Sequence, residues 1–191
     1  MLVARLIIFV DILIWMFPPF RQFQKRYFYY FLLLGISDPL FQIIYIFIKF
    51  DPFRLYEVFT PLMLLSVINF RLGKKDIFIA AFLLILNFIY TVFAPVSYLK
   101  VSLLVLHLII LSYFLVHATL ELNHNKTINI FYFVLCLYQL SLAMKYLITI
   151  TDLTTGVFYF LISTAFEILI AVFFIFFNEK NGPKLKIGLD I

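Results

Sequence analysis

The chain has 191 residues, 65% of them hydrophobic and 20% aromatic, with 13% charged and a net charge of +5. Its 26 phenylalanines and 12 tyrosines exceed what a water-soluble fold of this size can cover, which excludes an ordinary soluble domain. The basic surplus lies at the ends of apolar runs rather than in a patch beside a groove-reading element, so nucleic acid is not an expected partner.

A helix needs about 20 apolar residues to cross a hydrocarbon core of roughly 30 Å, and seven runs approach that length. The first, Leu2 to Phe17, carries Asp11 and ends at Pro18-Pro19. No small-residue cleavage site follows it, so it reads as a mature helix rather than a leader. The second, Tyr27 to Ile48, holds Ser37-Asp38-Pro39 at its middle, with Tyr30, Gln42 and Tyr45 close to the face of Asp38. The third, Leu55 to Phe70, is short for a full span, as is the first. The fourth, Ile77 to Pro95, places Asn87, Tyr90 and Thr91 at i, i+3 and i+4.

The fifth run, Leu99 to Leu120, contains His107 and His117, ten residues and about 15 Å apart along a helix. The sixth, Thr127 to Ile150, carries Cys136, Gln139 and Lys145. Cys136 is the single cysteine, which excludes an intramolecular disulfide and a four-cysteine metal centre. The seventh, Gly156 to Phe177, sets Ser163 and Thr164 one turn before Glu167. Breaks between runs fall at Pro18-Pro19, Asp51-Pro52, Gly73-Lys74-Lys75, Pro95, Asn123-His124-Asn125 and Thr154-Thr155-Gly156.

The expected fold is all-α: one polytopic transmembrane helical bundle over residues 1–178, of seven helices with six as the alternative. A short basic tail over 179–191 follows. The runs do not alternate in polarity, which excludes a membrane β-barrel. Ten of the fifteen Lys and Arg share one side of a seven-span chain: Arg21, Lys25, Arg26, Arg71, Lys74, Lys75, Lys126 and the tail's Lys180, Lys184 and Lys186. That side should be cytoplasmic, placing the N-terminus outside and the C-terminus inside, in a cell (inner) membrane. Besides the lipid bilayer, other membrane or cytoplasmic protein subunits are expected partners.

At 1.5 Å per residue, Asp38, Asn87, His107, Gln139 and Glu167 fall within roughly 5 Å of the midplane, with Asp11 slightly to the cytoplasmic side. An unshielded acid at that depth costs about 2.5–3.5 kcal/mol or more. The carboxyls therefore predict a polar interior. Asp11, Asp38, Asn87, His107, Gln139, Lys145, Thr164 and Glu167 form the candidate ligand- or proton-binding set. For Asn87 and Gln139, interhelical hydrogen bonding, worth about 0.6 kcal/mol each, is explanation enough. Lys145 either turns inward to Glu167 or Asp38, or snorkels to the headgroups, and snorkelling is the expected arrangement.

His107, the candidate, and His117 could each supply one axial ligand to a haem or chlorophyll-type pigment, but ten residues apart on one helix they cannot share one, and the third histidine, His124, lies in a loop. A hydrogen-bonded core histidine is the default for His107. His117 is expected at the interface. No metal site is assigned, because no His-x-x-x-His or His-Glu-x-x-His occurs. No catalytic residue is assigned either, since nucleophile elbows and phosphate-cradling glycine loops are missing, and Ser37-Asp38 alone is a weak pair. The middle of the seventh run holds Glu167 where a retinal-binding protein of this shape needs lysine.

Such a core points to small-molecule or ion handling, by a transporter or the membrane-embedded substrate subunit of one. A non-catalytic sensor or signalling partner is the alternative, as is a structural, possibly pigment-associated, subunit of a larger membrane complex.

Overall fold

Proline sets where three of the helices begin. The computed structural model describes residues 2–68, 74–151 and 157–186. Pro18-Pro19, expected to end the first helix, instead open a further helical turn. α1 (Leu2–Trp15) is followed by α2 (Pro18–Arg21), because proline is tolerated at the first helical positions, where no N–H is needed. α3 (Phe28–Ile48) runs through Pro39 without a break, and α4 (Pro52–Ile68) runs through Pro61. α4 starts three residues before the expected Leu55, since Asp51 Oδ1 accepts the Phe53 N–H at 2.8 Å and Pro52 occupies the first turn.

α5 (Lys74–Phe93) precedes α6 (Val96–Asn125), whose 30 residues exceed the run expected at Leu99 to Leu120. α7 (Ile130–Thr151) and α8 (Val157–Phe176) complete the helices. The breaks expected around Gly73 and at Thr154-Thr155-Gly156, together with Arg71, lie outside the described residues.

Among the described residues, five helices are long and apolar enough to cross a membrane: Val3–Arg21, Phe28–Ile48, Val96–Asn125, Ile130–Thr151 and Phe158–Phe176. The apolar stretch of α5, Phe78–Phe93, is shorter. The chain is an integral membrane protein with an all-α core.

Six helices close into a ring. α1 packs on α3, α3 on α4, α4 on α6, α6 on α7, α7 on α8, and α8 returns to α1. α5 packs against α4 from outside, with Phe78 and Phe93 among its many exposed side chains. Gly35 sets the approach of α1 to α3: a Cβ there would stand 2.7 Å from the Trp15 carbonyl oxygen and 3.2 Å from Pro19 Cγ. Only a residue without a side chain lets the two backbones touch.

One end of the ring is filled by aromatic rings. Tyr27, Tyr30, Phe31, Phe114, Phe131 and Phe174 are fully buried. Ring pairs such as Phe31–Phe174 at 4.8 Å, Tyr30–Phe114 at 5.6 Å and Phe131–Phe174 at 5.4 Å pack steeply inclined or edge-on. Such pairs add about 0.5–1.5 kcal/mol each beyond the area they bury. The same end gathers helix caps. Gln22 donates to the Phe177 carbonyl at 2.9 Å and Arg21 to that of Phe176 at 3.1 Å, closing the C-terminus of α8.

The sixth run does not begin as a helix. Thr127–Asn129 form β1, which pairs antiparallel with β2 (Lys184–Lys186), Thr127 opposite Lys186 and Asn129 opposite Lys184. The basic tail is thereby folded onto its own chain. Lys184 lies 3.2 Å from Glu121, and Asn129 donates to the Glu179 carbonyl at 3.1 Å. Gly182 fits beneath this junction, where a Cβ would meet Asn129 Oδ1 and Phe131 Cβ, each at 3.1 Å.

Candidate functional site

The ring encloses a cavity of about 470 Å³ at the end opposite the aromatic fill. Helical spacing decides which side chains reach it. Asp11, Ile12 and Trp15 come from α1, and Ser37, Asp38, Phe41, Gln42 and Tyr45 from α3. α4 supplies Tyr56, Thr60 and Met63 at i, i+4 and i+7, and α6 supplies His107. Tyr138, Leu142, Lys145, Tyr146 and Thr149 form one stripe of α7, and Phe160, Thr164 and Glu167 one stripe of α8. Among the described residues, α5 contributes nothing to this lining.

The cavity has a mouth and a floor. Gln42, Tyr45, Pro52 and Phe160 are exposed, and they lie where α3 ends and α4 and α8 begin. The floor is Trp15 and Tyr138, their rings 4.6 Å apart, with Phe174 behind Trp15 at 6.3 Å.

Glu167 is the best-satisfied acid. Lys145 Nζ lies 2.5 Å from its Oε2, and Ser141 donates to Oε1 at 2.9 Å. The Lys145 and Glu167 side chains are 12% and 5% exposed, so this is an interior ion pair. The expected snorkelling of Lys145 is thus corrected. Inward, the ammonium finds a carboxylate and the face of Phe160 at 4.8 Å, and both outweigh stretching to the headgroups.

Asp38 accepts a hydrogen bond from Tyr56 OH at 2.7 Å. Asp11 lies within electrostatic reach of Glu167, Asp38 and Lys145, and its buried Oδ1 has no hydrogen-bond partner among the described residues.

Behind the cavity wall runs a polar relay. His107 donates from Nδ1 to Gln139 Oε1 at 2.8 Å, and Gln139 Nε2 donates to Tyr30 OH at 2.5 Å. The Tyr146 ring stacks on His107 at 5.4 Å. His117 is engaged elsewhere, accepting from Arg26 at 2.7 Å while its Nδ1 donates to the Tyr113 carbonyl at 3.0 Å. Among the described residues no group of three or more His, Cys, Asp or Glu is placed to hold a metal ion.

Of the sequence candidates, Asp11, Asp38, His107, Lys145, Thr164 and Glu167 meet at this cavity, and Gln139 supports it from behind His107. Thr164 turns its hydroxyl to the Phe160 carbonyl at 2.7 Å. Asn87 does not join them. Pro61 has no N–H to give the Glu57 carbonyl one turn back, and Asn87 Nδ2 takes that carbonyl at 2.8 Å. Asn87 therefore binds α5 to α4 outside the ring, which corrects its expected place in the interior.

The sequence reading missed Tyr56, whose i, i+4, i+7 spacing with Thr60 and Met63 was the available signal. It also missed Glu57, fully buried between α4 and α6, where Ser102 donates to its Oε1 at 2.6 Å. Glu57 sits two residues inside the expected third run and reads there as a terminal charge.

No protein-family model, curated protein or solved structure matches the chain. What fold and site define is a class: a polytopic helical membrane protein with a polar, acid-bearing cavity inside a ring of six helices.

Proposed function

We propose that this chain handles a small molecule or ion, as a transporter or as the membrane-embedded substrate subunit of one. The observation that carries this reading is the cavity. Its size falls within the few hundred to about a thousand Å³ of ligand sites, whereas helices packed only for stability fill such a space with side chains. Three carboxyls facing one space would be a costly way to glue a bundle, because amides make similar hydrogen bonds without the charge.

The distribution of Lys and Arg supports an N-terminus outside and a cytoplasmic tail in a cell membrane. The mouth then faces outward and the aromatic floor inward. Tags at the two termini should be accessible from opposite faces of sealed vesicles; accessibility from one face would reject this orientation.

The function itself is tested by native mass spectrometry of protein extracted in mild detergent. The wild type should carry a bound small molecule. Asp38→Asn/Glu167→Gln should fold to comparable yield and lose it. An empty wild-type protein, or unchanged occupancy in the double amide, would sink the reading. The sealed floor favours one second reading, a sensor whose ligand shifts the helices for a cytoplasmic partner to detect. Ligand binding without uptake into proteoliposomes selects it.

A further inference from the structure

We infer that the ligand of this cavity is an organic cation, an ammonium group carried on an apolar or aromatic body. The inference rests on the cavity being the ligand site and adds the chemical class. Its first support is the charge balance of the lining. Lys145 is committed to Glu167 at 2.5 Å. Asp38 receives a neutral phenol hydroxyl from Tyr56. Asp11 is 9% exposed, lines the cavity, and leaves a buried oxygen without a partner among the described residues. Three carboxyls thus share one space with a single ammonium, that of Lys145, which is already bonded to Glu167, in surroundings where an unpaired polar atom is expensive.

The second support is an internal precedent. The protein holds its own alkylammonium, that of Lys145, between one carboxylate and one aromatic face, Glu167 and Phe160. Two further carboxyls of the lining each have an aromatic side chain at hand. Asp11 stands one turn from Trp15 on α1, and Asp38 meets Tyr56, which packs edge-on against Phe41 at 4.8 Å. A carboxylate beside an aromatic face is the arrangement that recognises organic ammonium groups.

A bare metal ion fits less well, because no three ligating side chains converge among the described residues. An anion would enter against Asp11 and Asp38. A ligand with its own apolar body can reach one carboxyl with its charge and cover the aromatic wall with the rest.

The test uses the full chain in lipid nanodiscs, with Cys136→Ala removing the buried native thiol. Gln42→Cys then places one thiol on an exposed part of the lining. Two methanethiosulfonate reagents of similar size are compared, one bearing a trimethylammonium group and one a sulfonate. Each rate is divided by that reagent's rate with free cysteine. With Lys145 neutralised by Glu167, the remaining lining charge is of one sign; such a cleft concentrates the opposite ion by about tenfold or more, so the cationic reagent should be favoured by that factor. The preference should fall towards unity in Asp11→Asn/Asp38→Asn and by a partial step in Asp11→Asn, which keeps the Asp38–Tyr56 bond. Tryptamine should slow the modification, and its neutral counterpart tryptophol should not.

Equal or anion-favoured rates overturn the cation assignment and leave the cavity as a binding site. Protection by tryptophol equal to that by tryptamine does the same. If neither reagent reaches a thiol that reacts normally in denaturant, the cavity is closed to water, and the proposed function falls with the inference.

Discussion

Lys145→Met is expected to destabilise the folded protein by about 3–5 kcal/mol, the usual consequence of removing one partner of a buried ion pair. The variant leaves Glu167, 4% exposed and on a short stem, with Ser141 as its remaining donor. A carboxylate so placed cannot travel to water. The reverse change is milder. After Glu167→Gln the ammonium keeps a hydrogen-bond acceptor, and its four-carbon stem can swing towards the cavity mouth.

Removing both charges should recover most of the loss. Lys145→Met/Glu167→Leu replaces the pair by apolar side chains of similar volume, which is often neutral or stabilising. Equilibrium unfolding of Lys145→Met, Glu167→Leu and the double variant in the same detergent measures the coupling. A loss below about 1 kcal/mol in Lys145→Met would show that the pair is effectively solvated, as exposed pairs are.

Trp15→Ala should cost a similar amount, about 3–5 kcal/mol, the range for deleting a large buried aromatic side chain. Trp15 is 3% exposed and its ring meets both Tyr138 and Phe174. It also closes the floor, so its loss joins the cavity to the space left among the aromatic rings. Proteoliposomes carrying Trp15→Ala should leak small polar solutes faster than those carrying wild type. Trp15→Phe, which keeps an aromatic plate at the floor, should stay tight and lose much less stability. Equal leakage from wild type and Trp15→Ala would place the barrier deeper, at Tyr30, Phe31 and Phe131.

The helices were legible because the bilayer imposes their length, and each expected run holds one. The acids were legible for a related reason: Asp11, Asp38 and Glu167 are too expensive to leave in lipid, so all three had to face something polar. Lys145 was not, because a long flexible stem serves the interior and the headgroups equally until its neighbours are known. Asn87 was misplaced because its partner is a backbone carbonyl freed by Pro61 on another helix, and a run of residues shows no such cross-helix vacancy. The pairing of Thr127–Asn129 with Lys184–Lys186 escaped notice since two three-residue strands carry no periodicity.

The position of α5 outside the ring has a consequence for the lipid itself. Its apolar run over residues 77–93 is about 26 Å long at 1.5 Å per residue, against a hydrocarbon core of roughly 30 Å. α6, in the ring, has 30 residues and no such deficit. In a bilayer of that thickness, acyl chains beside α5 are expected to compress towards it, while those on the ring's longer helices keep their natural extension. A lipid annulus thinner on that flank is the expected result, measurable as faster reconstitution-dependent activity or binding in shorter-chain lipids. Two copies that turned those flanks together would share one deformed patch in place of two, an elastic attraction that needs no complementary surface.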